Sequence, residues 1–99
     1  MSARATPQLE TPEQRLSLPV KPNGYSIGIS PGFRLNYRRS ARTSGTWSIL
    51  VADGKGSYSM RRIAIADDIE PADGVHIMDY QQAKAATLAT ARAERKERG

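Results

Sequence analysis

Basic and amide side chains alternate with apolar ones in the segment Phe33-Arg34-Leu35-Asn36-Tyr37-Arg38. A period of two is typical of a β-strand with one buried face, so Arg34, Asn36 and Arg38 are predicted to project together from the other face. Arginine pairs in bidentate fashion with guanine, and asparagine does so with adenine. The segment therefore has the chemistry needed to read the base edges of duplex DNA.

Positive charge is concentrated around this segment. Residues 32–62 hold seven basic residues and one acid, whereas residues 63–79 hold five acids and no lysine or arginine. The whole chain carries a formal net charge of +5. A basic block of this kind favours an anionic partner, with nucleic acid first. The alternative is a solvated sheet face whose arginines serve solubility.

The remaining predicted contacts lie in the loops and strands beside the segment. Loop cations suit phosphate contacts that position a protein on DNA, which we predict for Arg39, Arg42 and Lys55. Side chains on the same outer face suit contacts with bases or phosphates, which we predict for Thr46, Ser48 and Arg62.

Composition excludes several classes of protein. The chain has 99 residues, no cysteine and one histidine, which argues against a disulfide scaffold, a zinc finger and cysteine catalysis. We expect no metal, cofactor or small-molecule ligand. No apolar stretch approaches the ~20 residues that a membrane helix needs, so we expect a cytoplasmic protein without a membrane partner.

Hydrophobic alternation predicts three antiparallel strands, over residues 33–38, 46–51 and 57–65. Asp53-Gly54 predicts the hairpin turn between the last two strands. The inward positions should form the core: Phe33, Leu35, Tyr37, Trp47, Ile49, Val51, Ile63 and Ile65.

An alanine-rich helix is predicted from Tyr80 to about Arg95, with Asp79 and Gln82 as a capping box. Its narrow stripe of small and aromatic residues should pack on the sheet, through Tyr80, Ala83, Thr87 and Ala91. The predicted fold class is α+β, a three-stranded antiparallel sheet packed on one C-terminal helix.

Residues 1–23 hold four of the six prolines and are predicted to form a flexible, disordered arm, with at most one helical turn after Thr11. Residues 24–95 should form the β-β-β-α domain, and residues 96–99 should begin a linker or tail. The acidic segment 66–75 is predicted to be a solvated loop rather than a cation site.

The order of several short motifs resembles the N-terminal region of phage-type integrases of alphaproteobacterial type, which are tyrosine site-specific recombinases. The resemblance covers about residues 21–93 and rests on Pro31-Gly32-Phe33-Arg34-Leu35-Asn36-Tyr37-Arg38-Arg39, Gly45-Thr46-Trp47, Arg61-Arg62-Ile63, Ala66-Asp67-Asp68, Ala72-Asp73-Gly74 and Asp79-Tyr80-Gln81-Gln82-Ala83. One position departs from it, because Leu50 stands where a basic or polar outward residue is expected.

The resemblance implies an arm-type DNA-binding domain that acts in DNA integration and recombination. It implies no strand cleavage by this chain, since the tyrosines at 25, 37, 58 and 80 match no catalytic motif of that family. Double-stranded DNA is the expected partner, with other integrase protomers as a further one. The alternatives are an RNA-binding module and a protein-interaction domain that contacts other protomers.

Overall fold

The computed structural model describes residues 8–98, with side chains described up to residue 94. It contains two helices and five strands in chain order: α1 Pro12–Leu16, β1 Tyr25–Ser30, β2 Phe33–Arg38, β3 Thr46–Ala52, β4 Tyr58–Ala66, β5 Ile77–Met78 and α2 Tyr80–Arg98. The predicted α+β class is confirmed. The helix α2 continues to Arg98, past the predicted start of a linker at residue 96.

All five strands form one sheet in the order β1-β2-β3-β4-β5. The first four are antiparallel, and β5 lies parallel to β4 at only two positions, Ile65 and Ala66. The prediction of three strands is therefore wrong in number, although the three predicted strands form the centre of the sheet. The two additional strands lie at its edges.

A tight turn joins β1 to β2. Gly32 has φ +81°, which glycine adopts at little cost, and it follows Pro31, whose ring fixes φ for the preceding position of such a turn. In β1, Tyr25, Ile27 and Ile29 alternate with small residues and face the core. This strand extends the hydrophobic face of the sheet by one strand beyond the three that the sequence predicts.

The pairing of β3 with β4 contains a bulge that changes which residues of β4 face inward. Trp47 pairs with Ala64 whereas Ser48 pairs with Arg62, so Ile63 is the additional residue. Ile63 packs against the core, but Ile65 pairs with Thr46 and lies on the opposite face. The prediction of Ile65 as a core residue is wrong, because the extra residue at Ile63 inverts the alternation after it.

The core lies between the sheet and α2. Leu35, Tyr37 and Trp47 are fully buried, and the Trp47 indole N–H donates to the Met78 carbonyl oxygen over 2.8 Å. The predicted helix stripe is confirmed, because its members are all buried: Tyr80, Ala83, Thr87 and Ala91. The capping box is confirmed too, since the Asp79 N–H donates to Gln82 and the Gln82 N–H donates to Asp79.

The N-terminal segment is not the disordered arm that its prolines predict. Residues 1–7 lie outside the described part of the chain, but residues 8–23 are folded against the sheet. Thr11 caps the short helix α1 in a capping box with Gln14. Leu9 and Arg15 are fully buried. The segment folds because Arg15 has buried acidic partners at a distance along the chain that the local sequence does not reveal.

Candidate nucleic-acid interface

One face of the sheet carries no helix and is called the open face below. Strand register defines three of its rows, each running across the strands. The rows are Arg38–Thr46–Ile65, Ser26–Asn36–Ser48–Arg62 and Gly28–Arg34–Leu50–Met60. These open-face positions include arginines, hydroxyl residues and apolar residues but no aspartate or glutamate.

The predicted contact residues divide by exposure. Arg38, Arg42, Lys55 and Arg62 are exposed, and none of them forms an ion pair with the described residues. Arg34, Arg39 and Thr46 are half-buried. The structure therefore leaves the four exposed cations available to an anionic ligand.

Two predicted contact residues do not project into solvent. Asn36 is 2% exposed and Ser48 is 5% exposed. Both lie on inner strands of the sheet, β2 and β3, which are paired on both sides. The expectation that they project into solvent, where they could reach base edges, is therefore wrong. The Asn36 amide nitrogen has no hydrogen-bond partner among the described residues.

Arg34 is held in place rather than free. Its Nε donates to the Ser26 hydroxyl and its Nη2 donates to the Ser26 carbonyl oxygen, both over 3.2 Å. Ser26 is the direct cross-strand neighbour of Asn36. The Arg34 guanidinium thus lies beside the row that contains Ser26 and Asn36. Two of its nitrogen atoms already donate hydrogen bonds within the protein.

A shallow groove of about 710 Å³ runs along the end of the open face. Its charged side chains are Lys21, Arg38 and Arg39, and its lining residues include no acid. It also contains four hydroxyl residues, at Ser40, Thr43, Ser44 and Thr46. Cations with hydroxyl groups between them are the donors that bind phosphate oxygens in protein–DNA complexes.

A second groove of about 380 Å³ adjoins the first and shares Thr43, Ser44 and Thr46 with it. Arg42 and Arg62 line this groove together with the apolar Ile65 and Ile69, and Glu70 is its one acid. The two grooves place the predicted Arg38, Arg39, Arg42, Thr46 and Arg62 in one continuous region. Lys55 lies apart from them, in the β3–β4 hairpin loop.

Sequence reasoning missed Lys21 and the loop hydroxyls. Lys21 lies in the proline-rich segment that was predicted to be disordered, so its approach to Arg38 depends on the folded N-terminal segment. Lys21 also lies over the Tyr25 ring, with 4.7 Å between the Lys21 Nζ and the ring centroid. The Pro22-Asn23-Gly24 sequence beside it was the available signal, because it is typical of a turn into a strand.

A buried polar network anchors the loop that carries Arg39 and Arg42. Asp68 accepts hydrogen bonds from the Tyr37 hydroxyl at 2.6 Å, the Gly45 N–H at 2.7 Å and the Arg15 Nε at 2.8 Å. Asp67 accepts a further bond from Arg15. The prediction of a solvated acidic loop is therefore wrong at Asp68, which is 9% exposed.

The network fixes both ends of the loop formed by residues 39–45. Tyr37 precedes the loop and Gly45 ends it, so the Asp68 carboxylate joins the two. A Cβ at Gly45 would lie 2.5 Å from the Tyr37 ring and 2.6 Å from the Arg38 carbonyl oxygen, so only glycine fits. Burial and the adjacent Asp68 carboxylate raise the pKa of the Tyr37 hydroxyl, so it stays protonated and remains a donor.

The acidic segment beyond this network is structural as well. The Asp73 carboxylate accepts from the backbone N–H groups of Val75, His76 and Ile77. These backbone hydrogen bonds, first of all the one from Ile77, lower the pKa of Asp73. Among the described residues, no cluster of three histidine, cysteine or acidic side chains has the arrangement of a metal site.

Comparison with protein-family models, curated proteins and solved structures found no match for this chain. In the described part of the chain, neither helix has the length and apolarity needed to span a membrane.

Proposed function

We propose that this chain is a duplex-DNA-binding domain of the phage-integrase type, and that it binds DNA through the open face without cutting it. The observation that carries the proposal is the groove whose cations, Lys21, Arg38 and Arg39, are interleaved with hydroxyl residues and accompanied by no acid. Arg42 and Arg62 continue this cationic surface along the sheet.

The dimensions of the sheet indicate which part of it enters a DNA groove. Strands lie about 4.8 Å apart, so five strands span roughly 19 Å between the outermost two. The major groove is about 12 Å wide and admits a two-stranded ribbon. Only a subset of the strands therefore fits into the groove.

The β3–β4 hairpin supplies such a ribbon. In the described structure β5 pairs with β4 only at Ile65 and Ala66, so the β4 residues 58–62 form an edge. All five of these residues are exposed. Arg62 then faces the base edges from the ribbon, while Arg38 on the neighbouring strand and Lys55 at the hairpin tip reach the phosphates.

This geometry favours DNA over RNA. The major groove of an A-form RNA helix is deep and narrow, so side chains on a β-ribbon do not reach its bases. An RNA duplex would be bound only through phosphate contacts at its surface. Competition between DNA and RNA duplexes of the same sequence separates the two partners, and we expect DNA to compete better.

The proposal is tested by fluorescence anisotropy with a labelled duplex over a range of salt concentrations. Four exposed cations are expected to contact phosphates, Lys21, Arg38, Arg42 and Lys55. They predict a log–log salt slope of about −4, which is a loss of affinity of roughly 150- to 250-fold between about 50 mM and 200 mM salt.

Two matched arginine variants locate the binding surface. Arg38→Ala removes an exposed cation from the open face and should reduce the magnitude of the salt slope by about one. Arg92→Ala removes an exposed cation from α2, on the other side of the sheet, and should leave both affinity and slope unchanged. Equal effects of the two variants, or affinity that is insensitive to salt, would refute binding by the open face and favour protein association.

A further inference from the structure

Three apolar side chains lie together on the open face of the β3–β4 hairpin and are called the apolar strip below: Leu50, Tyr58 and Met60. Met60 lies directly opposite Leu50 in the strand register, and Tyr58 is two residues from Met60 on the same face. Met60 is 56% exposed and Tyr58 is 53% exposed. Contiguous exposed apolar groups of this kind mark contact surfaces on proteins.

Cations surround the apolar strip. Arg62 follows Met60 by two residues on the same face and is exposed, and Lys55 lies at the hairpin tip. The acid nearest in sequence is Asp53, whose carboxylate accepts from the backbone N–H groups of Lys55 and Ser57. The strip is therefore an apolar surface with a positive border, which complements an anionic partner that carries apolar groups.

A second copy of this chain fits the strip poorly. Packing two open faces together would bring two positively charged surfaces, each with the exposed Arg38 and Arg62, against each other. Three side chains are also far fewer than the 20–30 residues a side of a stable protein interface. The charge pattern instead fits duplex DNA, in which the major groove places apolar groups between two rows of phosphates.

We propose that the apolar strip contacts the C5-methyl groups of thymine in the major groove, so that this face prefers A·T-rich sites. This inference rests on the proposed function. Thymine is the only standard DNA base that presents a methyl group there, and apolar side chains are its usual contacts. The strip also gives a role to Leu50, the outward position that is neither basic nor polar.

The test compares duplexes that differ only in that methyl group. An alternating A·T duplex is measured beside the same duplex with uracil in place of thymine. An alternating G·C duplex is measured beside the same duplex with 5-methylcytosine, which adds a methyl group at the equivalent place. Alternating sequences present the group in every register, so no target site needs to be known. We expect each buried methyl group to strengthen binding about fourfold.

Met60→Gln keeps the side-chain length while making it polar, and it should reduce both methyl preferences. Leu16→Gln is the control, because Leu16 is an apolar residue on α1 with 41% exposure, away from the strip. Its methyl preferences should match those of the unchanged protein. Circular dichroism of both variants establishes that they are folded.

The outcomes separate the two proposals. Binding to every duplex with equal affinity, methylated or not, overturns the inference and leaves DNA binding intact. Failure to bind any duplex at low salt overturns both. If Met60→Gln abolishes self-association in sedimentation and leaves the methyl preferences unchanged, then the strip is an interface between copies of this chain, and the inference is wrong.

Discussion

Removal of the Arg15 side chain should strongly destabilise this protein. The guanidinium is fully buried and donates to Asp68 at 2.8 Å, to the Leu9 carbonyl oxygen at 2.8 Å and to Asp67. Its central carbon lies 5.1 Å from the Trp47 ring centroid. Arg15→Met retains most of the side-chain volume but removes every one of these donors.

The loss of stability expected for Arg15→Met depends on how far the carboxylates of Asp67 and Asp68 are left without a partner. Removing one partner of a buried ion pair typically costs about 3–5 kcal/mol, because the other charge stays buried without compensation. Asp68 keeps its bonds from Tyr37 and Gly45, and the Asp67 side chain is 18% exposed. For both reasons we expect the free energy of unfolding to fall by an amount at the lower end of this range, about 3 kcal/mol. For a domain of this size that corresponds to a fall in Tm of roughly 12–24 °C.

Urea denaturation followed by Trp47 fluorescence and by circular dichroism measures this loss. Arg61→Met is the matched control, because the Arg61–Glu94 pair is exposed at 54% and 24%. Exposed pairs contribute about 1 kcal/mol or less, so this variant should change stability little. Losses of similar size in the two variants would refute the reasoning that Arg15 anchors the N-terminal segment.

Two further predictions concern the same network. Burial and then the Asp68 carboxylate raise the pKa of Tyr37 in the folded protein, whereas the unfolded chain releases this proton near pH 10. The free energy of unfolding should therefore fall as the pH rises above about 10. Tyr37→Phe should make this fall less steep, whereas Tyr58→Phe, at an exposed tyrosine, should leave it unchanged. Parallel curves of stability against pH for the unchanged protein and both variants would contradict the prediction. Gly45→Ala should lower the urea midpoint because the added Cβ would collide with the Tyr37 ring and the Arg38 backbone. In Gly54→Ala the added Cβ meets no neighbouring atom, and the only strain comes from the φ of +80°, so the midpoint should fall less. Equal midpoints would show that the loop adjusts freely.

The central strands and α2 were predictable because each carries a local signal. Alternation marks β2 and β3, and the capping box with Asp79 marks the start of α2. The strand β1 also alternates, through Tyr25, Ile27 and Ile29, but its small residues and the prolines before it conceal the pattern. The strand β5 has only two residues, too few to show any period.

The candidate site was predictable in its charge but not in its exposure. Arg38, Arg42 and Arg62 are exposed as their positions indicate. The burial of Asn36 depends on how many strands lie on either side of it, which its own strand does not specify. The burial of Arg15 depends on Asp67 and Asp68, which are 52 and 53 residues further along the chain.

The claim that the open face binds duplex DNA is tested most directly by NMR titration of the isotope-labelled protein with a short duplex at low salt. The predicted result is a set of backbone amide shifts along β3, β4 and the 39–45 loop, centred on Thr46, Met60 and Arg62, with α2 from Tyr80 to Ala91 unchanged. Shifts confined to α2, or a spectrum that the duplex leaves unaltered, would contradict the claim.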